Sequence, residues 1–493
     1  MAIMKKFYIT TAIAYVNSSP HLGFGYELIL ADSLARWHRL LGEDVFFLTG
    51  TDENAQTNVK AAKEANIPIR QFVDKNVEKF KNLCKKLNIS NNYFIRTTDK
   101  NHVNAAQLIF KKIYDNKDIY LGNYEGFYCT SCEAFYLEKD LVDKKCPVHK
   151  KELDFIKEES YFFRLSKYEK QILGLLSSKD FVVPESKRKE LINRIKKDGL
   201  KDLSVSRKAL DWGVDVPFDK SHKIYVWIDA LSNYISAIGY PNGTNFKKYW
   251  PADVHLIGKD ISWFHSVIWP AILLSAEVKV PKKILIHGFV NLKGQKLSKT
   301  TGTIIDPIEL VEKYGLDSLR YFLIREIPFG EDGDFSEEAL KNRINNELAN
   351  DLGNLLSRVL TICEKNFKGK IGKNEIDSKL SNKLNLEKIN ELMSSYRLTE
   401  ALNEIWTFVK ACNKHINDEK LWEMQPKEQE KHLYSLLECL RIISLLLSSF
   451  IPETSAKIYM QLGISCNSFK DAKFGLIKQY MVKKGPILFN KIK

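Results

Sequence analysis

Two short motifs, far apart in the chain, hold the residue types that nucleotide chemistry needs. The first, HLGF at residues 21–24, follows an apolar run at 7–16 and precedes a helical pattern. This context predicts a strand, a turn and a helix N-terminus, whose backbone N–H groups and positive dipole end suit an anion. The second, KLSKT at residues 296–300, offers two lysines and a hydroxyl that can neutralise a departing pyrophosphate. Together, in this order, the two motifs indicate a nucleotidyl-transfer site.

Three cysteines and one histidine have the spacing of a metal site. Cys129, Cys132, Cys146 and His149 form the pattern C-x2-C-x13-C-x2-H, in which each pair places two ligands on one tight turn. Thiolate and imidazole ligands favour Zn²⁺, with iron the less favoured ion. Because four protein ligands leave no open position, we expect a structural zinc and catalysis elsewhere.

Alternating apolar runs and helical patterns predict the elements that position the motifs. A strand at 7–16, a helix at 26–41 and a strand at 44–49 follow one another. This βαβ order implies a parallel sheet that binds its ligand at the carboxyl ends of the strands. Short strands around the cysteines interrupt the pattern from about residue 120, and it resumes near residue 223. We therefore predict an α/β protein with a Rossmann-like catalytic domain split by a zinc-bearing connective insertion.

The last third of the chain is almost purely helical. Apolar residues recur there at helical spacing, including Leu402, Ile405, Trp406, Val409, Cys412 and Ile416. This spacing predicts a helical bundle after the catalytic domain. The expected segments are 1–118 and 222–290 for the two catalytic halves, 119–221 for the insertion, 291–342 for the KLSKT region, 343–475 for the bundle and 476–493 for a tail that packs back on the body.

Composition limits the partners and the compartment. The net charge of +14 favours a polyanionic partner, although a basic, Lys-rich proteome would account for it equally well. No apolar run reaches the roughly 20 residues that a membrane span requires, and we interpret the N-terminal apolar stretch as a core strand and not as a signal peptide. Eight cysteines, three of them clustered, suit a metal site in a reducing compartment, so a cytoplasmic protein is expected.

The motifs and their order resemble those of the methionyl-tRNA synthetases, class I aminoacyl-tRNA synthetases, of the type with a single zinc knuckle. The resemblance runs essentially end to end. The segments that carry it are ITTAIAYVNSSPHLGF, LARWHRLLGEDVFFLTGTDE, YEGFYCTSCEAFY, YVWIDALSNY, GKDISWFHSVIWPA, GFVNLKGQKLSKTTGTIIDP and GNLLSR.

The resemblance implies a methionine pocket. Its residues would be Ile13, Tyr15, Asp52, Arg207, Trp227, Ala230, Leu231, Tyr234, Ile261 and His265. Aromatic and aliphatic walls suit a flexible thioether, whose sulfur packs well against aromatic rings. Asp52 would receive the substrate ammonium group, and Arg207 would lie near the methionine and phosphate end.

The resemblance also implies the nucleotide site and the reaction. ATP would bind at His21, Gly23, Phe24, Lys296, Ser298 and Lys299, with His21, Lys296 and Lys299 acting on the phosphates. Methionine would attack ATP to give methionyl-adenylate, with release of pyrophosphate. Transfer of methionine to tRNA(Met) would then release AMP. Mg²⁺ would accompany the nucleotide. Because the methionine carboxylate is already nucleophilic, positioning and electrostatics can supply most of the acceleration.

In the helical bundle the resemblance implies three residues that read the tRNA(Met) anticodon. Asn354 and Arg358 lie one helical turn apart, and Trp422 sits in the segment DEKLWEMQP. An aromatic ring for stacking and polar groups for base edges are the means by which single-stranded RNA is read.

The sequence departs from the family pattern at a few positions. Phe24 replaces the usual second histidine of the HLGH motif and cannot hydrogen-bond a phosphate, and Asn54 and Ala55 replace the usual histidine and glycine after GTDE. One alternative is therefore an inactive tRNA-binding relative. Another is a class I synthetase for isoleucine, valine or leucine, but the insertion is smaller than the editing domain of those enzymes. Because the tail after the bundle is too short to form a further barrel domain, we expect a monomer.

Overall fold

A seven-stranded parallel sheet forms the centre of the first part of the chain. The structure, a computed structural model, describes residues 4–130, 132–136, 138, 141–147, 150–208, 210–292, 294–296 and 305–492. The first catalytic half contains β1 (Lys6–Thr11), β2 (Ala14–Tyr15), α1 (Leu22–Leu40), β3 (Asp44–Asp52), α2 (Gln56–Glu64), α3 (Ile69–Lys86), β4 (Tyr93–Arg96) and α4 (Lys100–Asp115).

The predicted insertion and the second catalytic half follow. The insertion contains β5 (Ile119–Cys129), β6 (Ala134–Tyr136), β7 (Asp154–Phe163), α5 (Glu169–Ser177), β8 (Val182–Val183), α6 (Glu185–Asp198), β9 (Leu203–Ser204), β10 (Ser206–Arg207), β11 (Asp215–Val216) and β12 (Asp219–Ile224). The second half contains α7 (Val226–Leu231), α8 (Asn233–Ser236), α9 (Thr244–Tyr249), β13 (Val254–Gly258), α10 (Trp269–Ser275) and β14 (Ile284–His287).

The remaining elements begin at the KLSKT region. They are β15 (Val290–Leu292), β16 (Gln295–Lys296), α11 (Pro307–Tyr314), α12 (Leu316–Glu326), β17 (Gly333–Asp334), α13 (Glu337–Arg343), α14 (Asn354–Phe367), β18 (Lys370–Gly372), α15 (Ser378–Ser381), α16 (Leu386–Ser394), α17 (Leu398–Asp418), α18 (Pro426–Leu447), α19 (Pro452–Leu462) and β19 (Gln479–Met481).

The order of the strands fixes the position of the ligand crevice. The main sheet has the order β4-β3-β1-β13-β14-β8. The short strand β2 pairs with the last residues of β3, beyond the part of β3 that pairs with β1. Ile9 of β1 therefore lies between Phe47 of β3 and Val254 of β13. Following the chain, β1, β3 and β4 extend the sheet toward one edge, and β13 and β14 extend it toward the opposite edge. The sheet therefore has a Rossmann-like switch point between β1 and β13. The predicted fold class is confirmed.

The central strands are apolar because the sheet is covered on both faces. Nearly every residue of β1 and β3 is buried, as expected for strands of a parallel sheet between helices. Their carboxyl ends reach the switch point at Thr11 and Asp52. The apolar runs predicted strands at both places, but the run at 7–16 is divided into β1 and β2, and β3 extends three residues beyond its predicted end.

The insertion has its own antiparallel sheet of order β6-β5-β7-β9. Its main ladder joins β5 and β7 from the pair Ile119 and Phe163 to the pair Tyr128 and Asp154. One strand inside the predicted insertion, β8, pairs instead with β14 of the main sheet. The boundaries given above remain a prediction, and the insertion returns to the catalytic sheet within them.

The helical domain forms as the spacing of its apolar residues predicted. All six of the residues named for α17 are buried in one core that also holds the apolar faces of α14 and α18. The last residues of the chain return to the body, because β19 pairs with β18 and the backbone of Ile492 exchanges two hydrogen bonds of 2.8 Å with the Asn345 side chain. Among the described residues, no helix is both long and apolar enough to cross a membrane.

Candidate active site

The HLGF motif begins α1 at the carboxyl end of β1. His21 has an extended backbone and is the N-cap of the helix, where its Nδ1 accepts a hydrogen bond of 3.1 Å from the backbone N–H of Gly23. A Cβ at position 23 would lie 3.0 Å from the His21 ring, so any larger residue there would push this ring away from its present position over the helix end. The helix N-terminus therefore faces the switch point, the position that suits a phosphate.

Phe24 lies in apolar surroundings, which differ from those of a phosphate-binding residue. Its ring packs edge to face on Phe80 at 5.4 Å and borders an apolar cluster that includes Val16, Val73 and Val77. The replacement of a histidine at this position thus fits an apolar contact on α3. Its assignment to the nucleotide site remains a prediction.

The KLSKT region returns to the HLGF motif. Lys296 ends the short strand β16, whereas Ser298 and Lys299 lie outside the described residues. Where the description resumes, the Ile305 carbonyl accepts a hydrogen bond of 3.1 Å from the backbone N–H of Leu22. The next residue, Asp306, caps α11 through a bond of 2.7 Å to the Ile308 N–H. The segment that follows the KLSKT motif, beginning at Ile305, therefore contacts the start of α1.

Most residues of the predicted methionine pocket belong to one apolar cluster. Trp227, Leu231 and Tyr234 are buried in it, and Ile13, Tyr15 and Ile261 pack against it. Ala230 is also buried. Trp227 stacks on Phe264, with ring centroids 3.7 Å apart and an angle of 6° between the planes. Phe264 was not among the predicted residues, and its position next to His265 in the sequence was the signal that could have identified it.

A chain of hydrogen bonds holds His265 in one tautomer. The Tyr234 hydroxyl is 2.7 Å from its Nε2, and its Nδ1 is 3.1 Å from the Ile261 carbonyl, so Nδ1 carries the proton and Nε2 accepts. Burial lowers the pKa of His265 to about 4, and the ring is neutral at physiological pH. The π-helix at Phe264–Ile268 begins at this point, and such irregular turns are frequent at functional sites.

Asp52 is a buried carboxylate at the carboxyl end of β3. It is 2% exposed, lies beside Tyr15 in the strand register and accepts a hydrogen bond of 3.1 Å from the Asn54 backbone. Burial, with the nearby Asp229, raises the pKa of Asp52 well above its usual value. Among the described residues, no cationic side chain forms an ion pair with Asp52, and the ammonium group of an amino acid would supply such a partner.

Asp229 and its partners were not predicted from the sequence. One carboxylate oxygen of Asp229 accepts from the Asn54 side chain at 2.7 Å, and the other lies 2.8 Å from Nε2 of His102. Nδ1 of His102 is 2.9 Å from the Ser236 hydroxyl. The network links β3, α4, α7 and α8 behind Asp52. The WIDA segment carried the signal for Asp229, but nothing local indicated His102.

Arg207 lies on β10, which pairs with β12 in a separate three-stranded sheet of order β10-β12-β11. Its Nε donates to Glu158 at 2.7 Å, and its guanidinium covers the Tyr128 ring at 4.4 Å. It borders a small cavity together with Asn54, Glu133 and Tyr225. Its buried Nη1 finds no hydrogen-bond partner among the described residues. This donor is available to a ligand, and a role near the substrate remains a prediction.

Three of the four predicted metal ligands converge. The sulfur atoms of Cys129, Cys132 and Cys146 lie within 4.8 Å of one another, and Cys132 and Cys146 are 3.6 Å apart. Zn–S bonds of about 2.3 Å in a tetrahedron place sulfur atoms about 3.8 Å apart, so these thiols fit a zinc ion. His149 lies outside the described residues.

The cysteine knuckle contacts helix α2 of the first catalytic half through Glu133. This residue is 1% exposed, and its carboxylate accepts from the Thr57 backbone at 3.0 Å and from the Tyr128 hydroxyl. Burial raises the pKa of Glu133 to about 7. Because Ala55, the N-cap of α2, has no polar side chain, Glu133 takes the place of the helix cap. No local sequence pattern indicated this contact.

The three predicted anticodon readers lie together on the helical domain. Asn354 begins α14 and is exposed, and the Arg358 guanidinium lies 5.9 Å from the centre of the Trp422 ring. Arg358 also donates to the Asn417 side chain at 2.7 Å. Trp422 is 55% exposed, which is unusual for so large an apolar side chain. An exposed ring beside a guanidinium offers a stacking surface for a base.

Two family models match the chain. The family described as tRNA synthetases class I (M) matches residues 7–155 and 136–360, and the anticodon-binding domain of tRNA ligase matches residues 375–485. The fold and the site thus define a class I tRNA synthetase.

The relatives narrow this class to one family. The methionine–tRNA ligase of Caldanaerobacter subterraneus is 50% identical over 505 residues, which cover 99% of this chain and 79% of that protein. Methionyl-tRNA synthetase of Mycobacterium tuberculosis in complex with methionyl-adenylate superposes with a TM-score of 0.95 at 39% identity, covering 99% and 100% of the two chains. Its apo form gives 0.88 at 37% identity, covering 100% and 99%. The chain belongs to the methionine–tRNA ligase family.

Proposed function

We propose that this chain ligates L-methionine to tRNA(Met) in two steps. In the first, a methionine carboxylate oxygen bonds to the α-phosphorus of ATP and the bond to pyrophosphate breaks. In the second, a ribose hydroxyl at the tRNA end attacks the carbonyl carbon of the adenylate and AMP leaves. The observation that carries the proposal is that the HLGF turn, which follows β2 and begins α1, and the buried Asp52, which ends β3, lie at the same end of the parallel sheet.

The methionine side chain lies between the aromatic walls. Trp227 and Phe264 supply stacked rings, and Tyr234 and the neutral His265 close the far side with polar atoms that already bond each other. A pocket whose polar groups are already satisfied favours a thioether over a hydroxyl or a charged group. Asp52 binds the ammonium group and orients the carboxylate toward the nucleotide.

His21 and the N-terminus of α1 bind the phosphates, with Gly23 allowing the close approach of the His21 ring. Lys296 and Lys299 act on the negative charge that grows on the α-phosphate and the leaving pyrophosphate, and Ser298 adds a hydroxyl. Mg²⁺ arrives with ATP. Donors placed where charge develops lower the barrier without a general base.

A structural zinc ion bound by Cys129, Cys132, Cys146 and His149 folds the knuckle and supplies no step of the reaction. The described cysteines form no disulfide bond, which suits a reducing compartment such as the cytoplasm. Asn354, Arg358 and Trp422 read the anticodon.

Amino-acid-dependent ATP–pyrophosphate exchange tests the first step. We expect exchange with methionine and much weaker exchange with isoleucine, leucine or valine. Asp52→Asn removes the charge that binds the ammonium group, so the KM for methionine should rise about 10–100-fold. Asp115→Asn, at the exposed end of α4, is the control and should leave the KM unchanged. Exchange with another amino acid at the rate of methionine, or none with any, would contradict the proposal.

A further inference from the structure

Two histidines and a carboxylate converge in the helical domain, on elements that carry none of the predicted catalytic, methionine-binding or zinc-binding residues. His415 lies in the last turn of α17, His432 lies in α18, and Asp377 precedes α15. Nε2 of His415 is 2.9 Å from Nδ1 of His432. Oδ2 of Asp377 is 3.7 Å from the first nitrogen and 3.5 Å from the second.

The three donor atoms have the spacing of metal ligands. Bonds of about 2.0–2.1 Å to nitrogen and oxygen in a tetrahedral zinc site place the donor atoms about 3.3 Å apart. The observed distances of 2.9, 3.5 and 3.7 Å lie on both sides of that value. Small side-chain rotations would therefore bring all three atoms to one ion.

A hydrogen bond between the two rings accounts for only part of the convergence. The two ring nitrogens share one proton, whereas the Asp377 oxygen lies beyond normal hydrogen-bond distance from both rings. A metal ion that displaced the shared proton would make both nitrogens available as ligands, with the carboxylate facing the same point. His415 is 7% exposed and His432 is 9% exposed, so this point is largely shielded from water.

The carboxylate is held in place by its other contacts. Oδ1 of Asp377 accepts from the Lys379 backbone at 2.8 Å, and the Asp377 backbone donates to the Ser435 hydroxyl at 2.9 Å. Oδ2 therefore remains directed at the histidines. The nearby Lys379 ammonium group is paired with Glu419 at 2.6 Å, which reduces its repulsion of a cation.

We propose that Asp377, His415 and His432 bind a divalent transition-metal ion of the zinc type, with one position left for water. Two imidazoles and one carboxylate suit Zn²⁺ and its neighbours and not Mg²⁺ or Ca²⁺, which prefer oxygen ligands. The ion would join α15, α17 and α18. The short turn Leu421–Glu423 between α17 and α18 carries Trp422, so the ion would stiffen the exposed surface around this ring.

Cobalt substitution separates this site from the cysteine knuckle. The full chain is stripped of metal, titrated with Co²⁺ and followed by absorption and by metal analysis. Thiolate ligands give a sulfur-to-cobalt charge-transfer band, whereas two imidazoles and a carboxylate give only weak visible bands. Wild-type protein should show both signals.

The variants assign each signal. Cys146→Ser should lose the sulfur band and keep the second ion, and His432→Gln should do the reverse. Glu428→Gln, exposed on the first turn of α18, is the matched control and should bind as the wild type does. Asp377→Asn provides a second test if His432→Gln does not fold. Equal Co²⁺ content in the wild type and in a folded His432→Gln or Asp377→Asn protein would overturn the proposal.

Discussion

At the scale of single residues, the proposed site combines charged groups that we expect to act on phosphate with neutral groups that we expect to shape the methionine pocket. His265 illustrates the second kind, because its two nitrogens are both occupied by protein partners. The sequence placed His265 and Tyr234 in the pocket, but their mutual bond depends on the packing of α8 against the π-helix. Likewise, Asp229 and His102 lie far apart in the chain and meet only in the fold.

The pH dependence of stability reports on His265. In the unfolded chain the imidazole takes up a proton near pH 6.5, whereas in the folded state burial lowers its pKa to about 4. Unfolding therefore binds a proton between these values, and stability falls as the pH drops from about 6.5 to 4 by on the order of 3 kcal/mol. His265→Gln keeps both hydrogen bonds without titrating, so its denaturation midpoint should fall less over this range. Parallel pH profiles for the two proteins would contradict the assignment.

Lys299→Ala tests the role of the second motif. Since the lysine acts on charge that develops during transfer, adenylate formation should slow about 10²–10³-fold while methionine affinity is kept. Single-turnover pyrophosphate release and equilibrium methionine binding measure the two quantities. Lys299→Arg, which keeps the charge, should lose less. A loss of methionine binding with an unchanged rate would show that Lys299 acts in methionine binding and not in phosphate transfer.

At the scale of elements, the sheet and helix α1 were predictable because their apolar patterns are long and continuous. Strand β8 was not, since two residues of a short apolar stretch give no periodicity. The cap of α2 by Glu133 was also not predictable, because the helix and the knuckle come from different parts of the chain. This contact places the knuckle against the first turn of α2, the helix that follows Asp52 in the chain.

Glu133→Ala should weaken both elements that it joins. The Thr57 N–H and the Tyr128 hydroxyl would lose a buried acceptor, so the free energy of unfolding should fall by roughly 1–3 kcal/mol. Thermal unfolding and retained metal measure the effect, and the KM for methionine should rise because α2 follows Asp52. Glu125→Ala, exposed on β5, serves as the control. An unchanged melting temperature in Glu133→Ala would show that the cap contributes nothing.

At the scale of the molecule, two functions lie on two domains. The catalytic sheet holds the motifs for amino-acid activation, and the helical domain presents Trp422 on its surface. The sequence predicted both domains from the change of periodicity near residue 343. It could not predict that Arg358 would approach the Trp422 ring, because the two belong to different helical segments.

Trp422→Ala separates these functions. The KM for tRNA in aminoacylation should rise, since a lost base–aromatic stack costs about 1–3 kcal/mol, whereas pyrophosphate exchange should be unchanged. Trp422→Phe retains a stacking ring and should recover most of the loss. A parallel fall in exchange would indicate that Trp422 supports folding and does not read the tRNA.

The two-step reaction itself is tested most directly by trapping its intermediate. Full-length protein is incubated with ATP, Mg²⁺ and labelled methionine without tRNA, separated from free nucleotide, and then mixed with tRNA. We predict that methionyl-adenylate co-purifies with the protein in stoichiometric amount and that the label moves to the tRNA when it is added. An absence of bound adenylate, or a bound adenylate whose methionine never reaches the tRNA, would contradict the account.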